Sequence, residues 1–195
     1  ICSLAAASIL LYTAPSFVVL LSAVLWRETV TRKKLLALAL TFLGCAFVCG
    51  AFSGSLSVSL PGLLLGLGAG FFYALYSIFG RYALPHYSPL TVTLWTFLFA
   101  GPASLALVRP DELAAAFSLP EVWCVALALA ALSTALPYIL YTWGLAHVEP
   151  GRASILASLE PVAAALTGVL VFGEPMGASM LAGVLCVLTG VYILR

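Results

Sequence analysis

The sequence predicts an all-α polytopic membrane protein with seven transmembrane helices present, and three observations carry that reading. Hydrophobic residues make up 64% of the 195, with only 8 Lys and Arg and 7 Asp and Glu, well below the charge of a soluble domain. Apolar blocks of roughly 18 or more residues recur, each long enough to cross hydrocarbon as a helix. Barrel strands, about ten residues long with alternating polarity, fit these blocks poorly.

In chain order the blocks are 4–25, 35–52, 60–80, 89–108, 122–144, 153–172 and 177–194. The first contains Tyr12, Thr13 and Pro15. The second follows the basic residues Arg27, Arg32, Lys33 and Lys34, and is near the lower length limit. The third opens PGLLLGLGAGFF, where Gly62, Gly66 and Gly70 stand four apart and permit close helix contact, inside the fold or with a second subunit in a homodimer. The fourth carries Trp95. The fifth is the longest, so it should tilt, and contains LSTALPYILYTWG with Pro137, Tyr138, Tyr141 and Trp143. The sixth contains ASILASLEP with Ser158, Glu160 and Pro161, and the seventh is again near the lower limit.

Cys2, Cys45, Cys49, Cys124 and Cys186 form no CxxC pair and read as small buried hydrophobes rather than metal or redox groups. His86 and His147 lie near loops without ligand spacing, so neither a metal nor another cofactor is expected. A chain this apolar has the lipid bilayer as its partner, and nothing in it suggests nucleic acid.

Seven crossings put the connections on alternating sides. Arg27, Arg32, Lys33, Lys34, Arg81, Arg152 and Arg195 then share one side, whereas the other has Arg109 beside Asp111 and Glu112, with Glu121 and Glu174. The positive-inside tendency makes the first side cytoplasmic, and with it the C-terminus of a multi-pass plasma (inner) membrane protein. The start at Ile1, without a basic leader, suggests part of a longer protein. A cytoplasmic N-terminus would then require an odd number of preceding helices.

Residues 6–51 and 152–194 match under a shift of 146 positions with no gap. The shift pairs Ala7-Ser8-Ile9-Leu10 with Ala153-Ser154-Ile155-Leu156, Pro15 with Pro161, Leu20 with Leu166, Glu28 with Glu174, Leu35 with Leu181 and Gly44 with Gly190. Five crossings separate the copies, so they must be inverted relative to one another. Such repeats suit alternating access, because each half can take the conformation its partner has left; the alternative is an old duplication kept only for packing, in a structural membrane protein.

The segment ASILASLEPVAAALTGVLVFGEPMGASMLAGVLCVLTGVYI resembles the last two helices of the drug/metabolite transporter superfamily, in particular its EamA-type branch. AASILLYTAPSFVVLLSAVLWRETVTRKKLLALALTFLGCAFV is similar to the pair that closes the first half. The resemblance implies a ten-helix transporter fold of two inverted five-helix halves with both termini cytoplasmic. This chain would supply helices four to ten: 1–52 ends the first half, 60–195 forms the second, and three N-terminal helices are missing. It also implies a secondary transporter, a permease or exporter moving a small metabolite or drug across the plasma membrane, often with proton coupling. Thr13, Ala14 and Pro15 stand where Leu159, Glu160 and Pro161 appear in the second copy, so two symmetric acids are not available.

For such a role the pathway candidates are Glu160, Tyr12, Thr13, Tyr138, Tyr141, Ser158 and Trp95. Glu160 falls about seven residues into its block, hence ~10 Å deep. An acid there costs roughly 2.5 to 3.5 kcal/mol unless it faces protein or water, and it is the candidate to take up and release a proton; the alternative is a brace for a broken turn. Pro15, Pro137 and Pro161 each remove a backbone donor and should bend their helices as hinges. Tyr12 and Tyr138 could stack on a small solute, while Trp143 fits an interfacial belt. No buried arginine or lysine is expected to hold a phosphate or free carboxylate, which favours a neutral or zwitterionic substrate. Glu28 and Glu174 read as structural caps of the hairpins, with Arg27, Arg32 and Lys33 near Glu28. An intramembrane enzyme lacks its motifs here, with no HExxH or GxSxG, and a channel lacks a filter loop. The chain reads as a non-enzyme, and the seven helices alone are expected not to transport.

Overall fold

In the computed structural model, residues 3–51 and 57–194 are described. Cys2, Arg195, the end of the second block at 52 and the side chain of Glu112 lie outside the described residues. Among those described the elements are helices, apart from a single bridge residue at Val58: α1 Leu4–Leu11, α2 Ala14–Trp26, α3 Arg32–Val48, α4 Leu60–Ala83, α5 Pro89–Leu105, α6 Pro110–Phe117, α7 Pro120–Ala128, a π-helical segment Leu129–Ala135, α8 Leu136–Leu145, α9 Pro150–Ala157, α10 Glu160–Phe172 and α11 Ala178–Leu194.

Local chemistry sets the starts. Ser3 Oγ accepts from Ala6 N, Thr31 Oγ1 from Lys34 N and Ser88 Oγ from Thr91 N, each satisfying a donor that has no partner in a helix's first turn. Pro89, Pro110, Pro120 and Pro150 occupy the first helical position, where a missing N–H costs nothing and φ is already suitable.

Among the described residues four runs are long and apolar enough to cross a membrane: Ala5–Trp26, Leu60–Ala83, Pro120–Leu145 and Pro150–Phe172. The protein is therefore an all-α polytopic membrane protein. Three of the seven expected spans fall short of that length. The helices α3, α5 and α11 have 17 residues each, about 25 Å at 1.5 Å per residue. The blocks that contain them run longer in sequence because the apolar residues flanking each helix belong to caps and turns. Helix α6, in the connection after the fourth block, was not legible from hydropathy; Arg109 Nη2 pairs with Asp111 Oδ2 at 3.2 Å at its start.

By contacts the chain forms two units, one of Ile1–Phe79 with Glu149–Arg195 and the other Gly80–Val148. The first gathers both copies of the repeat. Among the described residues its core has three clusters: Ala14 and Val18 of α2 with Ala74 and Ile78 of α4; Cys45 of α3 with Val162 of α10 and Val184 and Val187 of α11; and Val19, Ala37 and Ile155 joining α2, α3 and α9. The helices α3 and α11 pack most extensively. A Cβ on Gly44 would lie 2.7 Å from Gly183 O, and one on Gly190 would lie 2.9 Å from Ala37 O. As position rises along α3 it falls along α11, so the two run antiparallel. The second unit joins α5 to α8, with Thr93 Oγ1 donating to Thr142 Oγ1 at 3.4 Å. Large side chains such as Leu20, Leu64 and Leu170 remain exposed, which suits a chain whose solvent is hydrocarbon.

Candidate functional site

The chemistry gathers where the helices of the two copies break. In the first copy α1 ends at Leu11, Tyr12 and Thr13 turn, and α2 begins at Ala14; in the second α9 ends at Ala157, Ser158 and Leu159 turn, and α10 begins at Glu160. Leu11 and Ala157, like Ala14 and Glu160, stand 146 positions apart, so both copies break at the same register. The cause is shared. Pro15 and Pro161 each lack the N–H that would have bonded the last carbonyl of the preceding helix.

The turn residues then fall back on shorter bonds. Thr13 N donates to Leu10 O at 3.2 Å, Ser158 N to Ile155 O and Leu159 N to Leu156 O, both at 3.1 Å. These i to i+3 bonds close the first half-helix, so the α-helical hydrogen bonding is interrupted for two residues before each of these helices resumes. Pro137 is accommodated differently: the π-helical turns of Leu129–Ala135 directly precede it, and the run continues without a break.

Neighbours hold each break. Thr13 Oγ1 donates to Leu10 O at 2.6 Å. A Cβ on Gly70 would stand 2.7 Å from that hydroxyl oxygen, and one on Gly66 would be 2.5 Å from the Leu10 side chain. Two of the three spaced glycines thus let α4 lie against the first break, and Gly62 is buried. Cys45 Sγ donates weakly to Ser158 O at 3.9 Å, so a cysteine that read as plain filler also serves a turn carbonyl. Tyr12 and Leu159 pack on the cluster around Cys45. Ser158 is buried, Tyr12 and Thr13 are half-buried, and Glu160 is exposed at the first position of α10.

These four candidates belong to the first unit. Trp95, Tyr138 and Tyr141 belong to the second, where Tyr138 meets Phe97 edge-on with centroids 5.0 Å apart and Trp95 stacks on Phe99 at 5.8 Å. Tyr138 and Tyr141 are half-buried and Trp95 is exposed.

The far ends of the two hairpins also correspond. Helix α2 ends with Arg27 in the left-handed region at φ 53°, and α10 with Gly173 at φ 69°. Both caps return N–H groups to equivalent carbonyls, those of Ser22 and Gly168. The following acids diverge. Glu174 folds back on α10, where a Cβ on Gly168 would meet its carboxylate at 2.5 Å. Glu28 accepts from Lys34 Nζ at 3.0 Å, and Glu149 accepts from the same ammonium at 3.2 Å. The cap of α3 itself is Thr31.

Lys34 corrects the expectation that no lysine or arginine is buried. Its side chain is only 6% exposed, and that of Glu28 10%. At the third position of α3 the side chain turns inward between two acids. Gly151 makes room for the group, since a Cβ there would be 3.2 Å from Glu28 Oε2 and 3.3 Å from Lys34 Nζ. A charge-only count of the loop assigned Lys34 to orientation. The signal that could have found it is the acid six residues earlier, together with a Glu-Pro-Gly entry to the opposing helix.

The chain is similar to known proteins. The profile of the EamA-like transporter family matches residues 1–50 and 60–195. The chain belongs to the EamA-like transporter family. An uncharacterized transporter of Archaeoglobus fulgidus is 35% identical over 97% of this chain and 66% of its own length. A probable amino-acid metabolite efflux pump of Salmonella typhimurium is 26% identical over 96% and 66%, and the threonine/homoserine exporter RhtA of Escherichia coli K12 is 36% identical over 61% and 40%. A crystal structure of a protein 18% identical shares the fold with a TM-score of 0.80 over 98% of this chain and 67% of the other. This EamA-like chain spans about two thirds of the length of the first curated relatives it matches.

Proposed function

We propose that the whole protein is a secondary transporter, a permease or exporter that moves a small metabolite across the plasma membrane by alternating access. The observation that carries this reading is the pair of helix breaks at one register in two copies whose closing helices run antiparallel. Interrupted helices expose backbone carbonyls and N–H groups at depth, and inverted-repeat transporters of other folds use such groups to hold a solute between their halves. Membership in the EamA-like family supports the same function.

In this reading α3, α5 and α11 also cross, with local thinning of the bilayer or flanking charges making up their length. That gives seven crossings, with the C-terminus cytoplasmic on the basic side. The chain then corresponds to helices four to ten of a ten-helix inverted-repeat fold, 1–52 closing the first half and 60–195 forming the second; coverage of two thirds of its relatives supports this. Glu160 is the coupling acid, the solute lies near Tyr12, Thr13 and Ser158 of the first unit, Tyr138, Tyr141 and Trp95 are the pathway candidates of the second unit, and Pro15, Pro137 and Pro161 set the moving segments. The names of the relatives support an amino acid or similar zwitterion as substrate.

The test is counterflow in proteoliposomes with the full-length protein and labelled threonine, homoserine or other amino acids, at acidic and neutral pH, with Glu160→Gln alongside. Saturable exchange with pH dependence lost in the variant is the expected result. Flux that does not saturate would favour a channel, and a chemically altered product an enzyme. Exchange with unchanged pH dependence in Glu160→Gln would remove that residue from coupling.

A further inference from the structure

Between the start of α3 and the start of α9 lies a cavity of about 410 Å³ lined by Thr29, Thr31, Arg32, Lys33, Lys34, Glu149, Arg152 and Leu194. Four of these side chains are cations and one is an acid. The acid is already engaged: Glu149 accepts from Lys34 at 3.2 Å and lies 3.7 Å from Arg152. Lys34 has three N–H donors, of which Glu28 and Glu149 account for two. Arg32 and Lys33 are exposed, and among the described residues neither makes an ion pair. A cavity with this surplus of positive charge, too small for a protein segment and floored by a nine-tenths buried ammonium, is suited to a single anionic group.

The surroundings say which kind of anion. Leu35 and Leu36, the next residues on α3 after the cations, are each 51% exposed, and Leu194 supplies apolar lining to the cavity itself. An anion bound there meets these cations and Leu194 in the cavity, and the exposed Leu35 and Leu36 follow the cations along α3. Free phosphate has no use for the leucines, whereas a phospholipid uses both.

We propose that this cavity binds the phosphate of an anionic phospholipid, with Arg32, Lys33 and Arg152 holding the headgroup, the third donor of Lys34 at its floor, and the acyl chains lying along Leu35 and Leu36. Arginine supplies paired donors in the geometry of phosphate oxygens. Basic pockets at the ends of membrane helices are suited to such headgroups. The site is separate from the helix breaks and does not depend on the transport reading.

The experiment is native mass spectrometry of the full-length protein in detergent, titrated with short-chain phosphatidylglycerol, phosphatidylcholine or inorganic phosphate. Each cation close to an anionic headgroup is worth roughly fivefold in affinity. The wild type should therefore hold phosphatidylglycerol at least about tenfold more tightly than phosphatidylcholine. Arg32→Gln/Lys33→Gln/Arg152→Gln should lose that preference, and Arg32→Lys/Arg152→Lys should keep most of it. All of these variants keep the Lys34 pairs with Glu28 and Glu149, and an unchanged melting temperature checks the fold. Equal binding of the two lipids by the wild type, or full preference in the triple Gln variant, would overturn the site. Displacement of phosphatidylglycerol by inorganic phosphate at comparable concentration would overturn the lipid assignment and leave a free-phosphate site.

Discussion

The two copies of the repeat share a backbone and differ in the charges placed on it. Both break after eight helical residues, both resume with a proline at the second position, and both end the resumed helix in a left-handed residue. At the break the first copy has Tyr12, Thr13 and Ala14, and the second Ser158, Leu159 and Glu160. At the hairpin end the first has Arg27, Glu28 and a buried Lys34, whereas the second has Gly173, Glu174 and Met180. The fold of a hairpin therefore requires the proline, the left-handed cap and the close glycine contact. Ionisable groups vary freely around that frame, one copy placing its acid at the break and the other its buried ion pair at the end.

The largest expected effect comes from removing the charge that only the first copy buries. Lys34→Met installs the residue found at the equivalent place in the second copy. It leaves Glu28 buried without its cation, which should lower stability by about 3 kcal/mol. Chemical unfolding of the full-length protein in detergent measures it. Glu28→Gln combined with Lys34→Met should recover part of that loss, because the stranded carboxylate is removed as well. If Lys34→Met alone changes stability no more than a surface substitution, the ion pair is incidental and the copies are more alike than their charges indicate.

Next in size is the contact the two copies share. Gly44→Ala would put a Cβ 2.7 Å from Gly183 O and 2.9 Å from Val187 N, and Gly183→Ala one 2.7 Å from Gly44 O. Backbone atoms cannot move aside as a side chain would, so each variant should separate α3 from α11 at a cost of about 1 to 3 kcal/mol. Gly68→Ala, with nothing within 4 Å of its Cβ, is the control, and should stabilise α4 by up to about 1 kcal/mol through helix propensity. Equal melting temperatures for Gly44→Ala and Gly68→Ala would mean that the close crossing does not matter.

Membrane character and the repeat were legible because both rest on signals that survive without coordinates: long apolar blocks, and Pro15, Glu28 and Gly44 in step with Pro161, Glu174 and Gly190. The positions of the breaks were legible as prolines but not as breaks. A proline states which donor is missing, whereas the choice between a bend, an interruption and a π-helical turn depends on what packs nearby. Gly70 sits against Thr13, and no comparable clue in the sequence marks Leu129–Ala135. The burial of Lys34 was missed because its acceptor Glu149 lies 115 residues away, and a count of charges by loop has no information on such pairs. Helix ends were overrun for a related reason, since hydropathy does not distinguish a helical leucine from one in a cap.

The smallest effect probes the caps, where the copies agree in geometry and differ in residue. Arg27 adopts φ 53° and Gly173 φ 69°. A side chain in this region sets its Cβ against the following carbonyl, at roughly 1 kcal/mol or somewhat more, a penalty glycine avoids. Arg27→Gly should therefore leave the helix end in place and raise stability by a fraction of that figure, because glycine also gains freedom when unfolded. Gly173→Ala should lower stability by about 1 kcal/mol, and no neighbour within 4 Å of its Cβ would confuse the backbone cost with a clash. Opposite signs in the two melting temperatures would assign the cap to backbone conformation. A destabilised Arg27→Gly would instead mean that the Arg27 side chain is holding the loop, and the first copy would then owe one more of its features to charge.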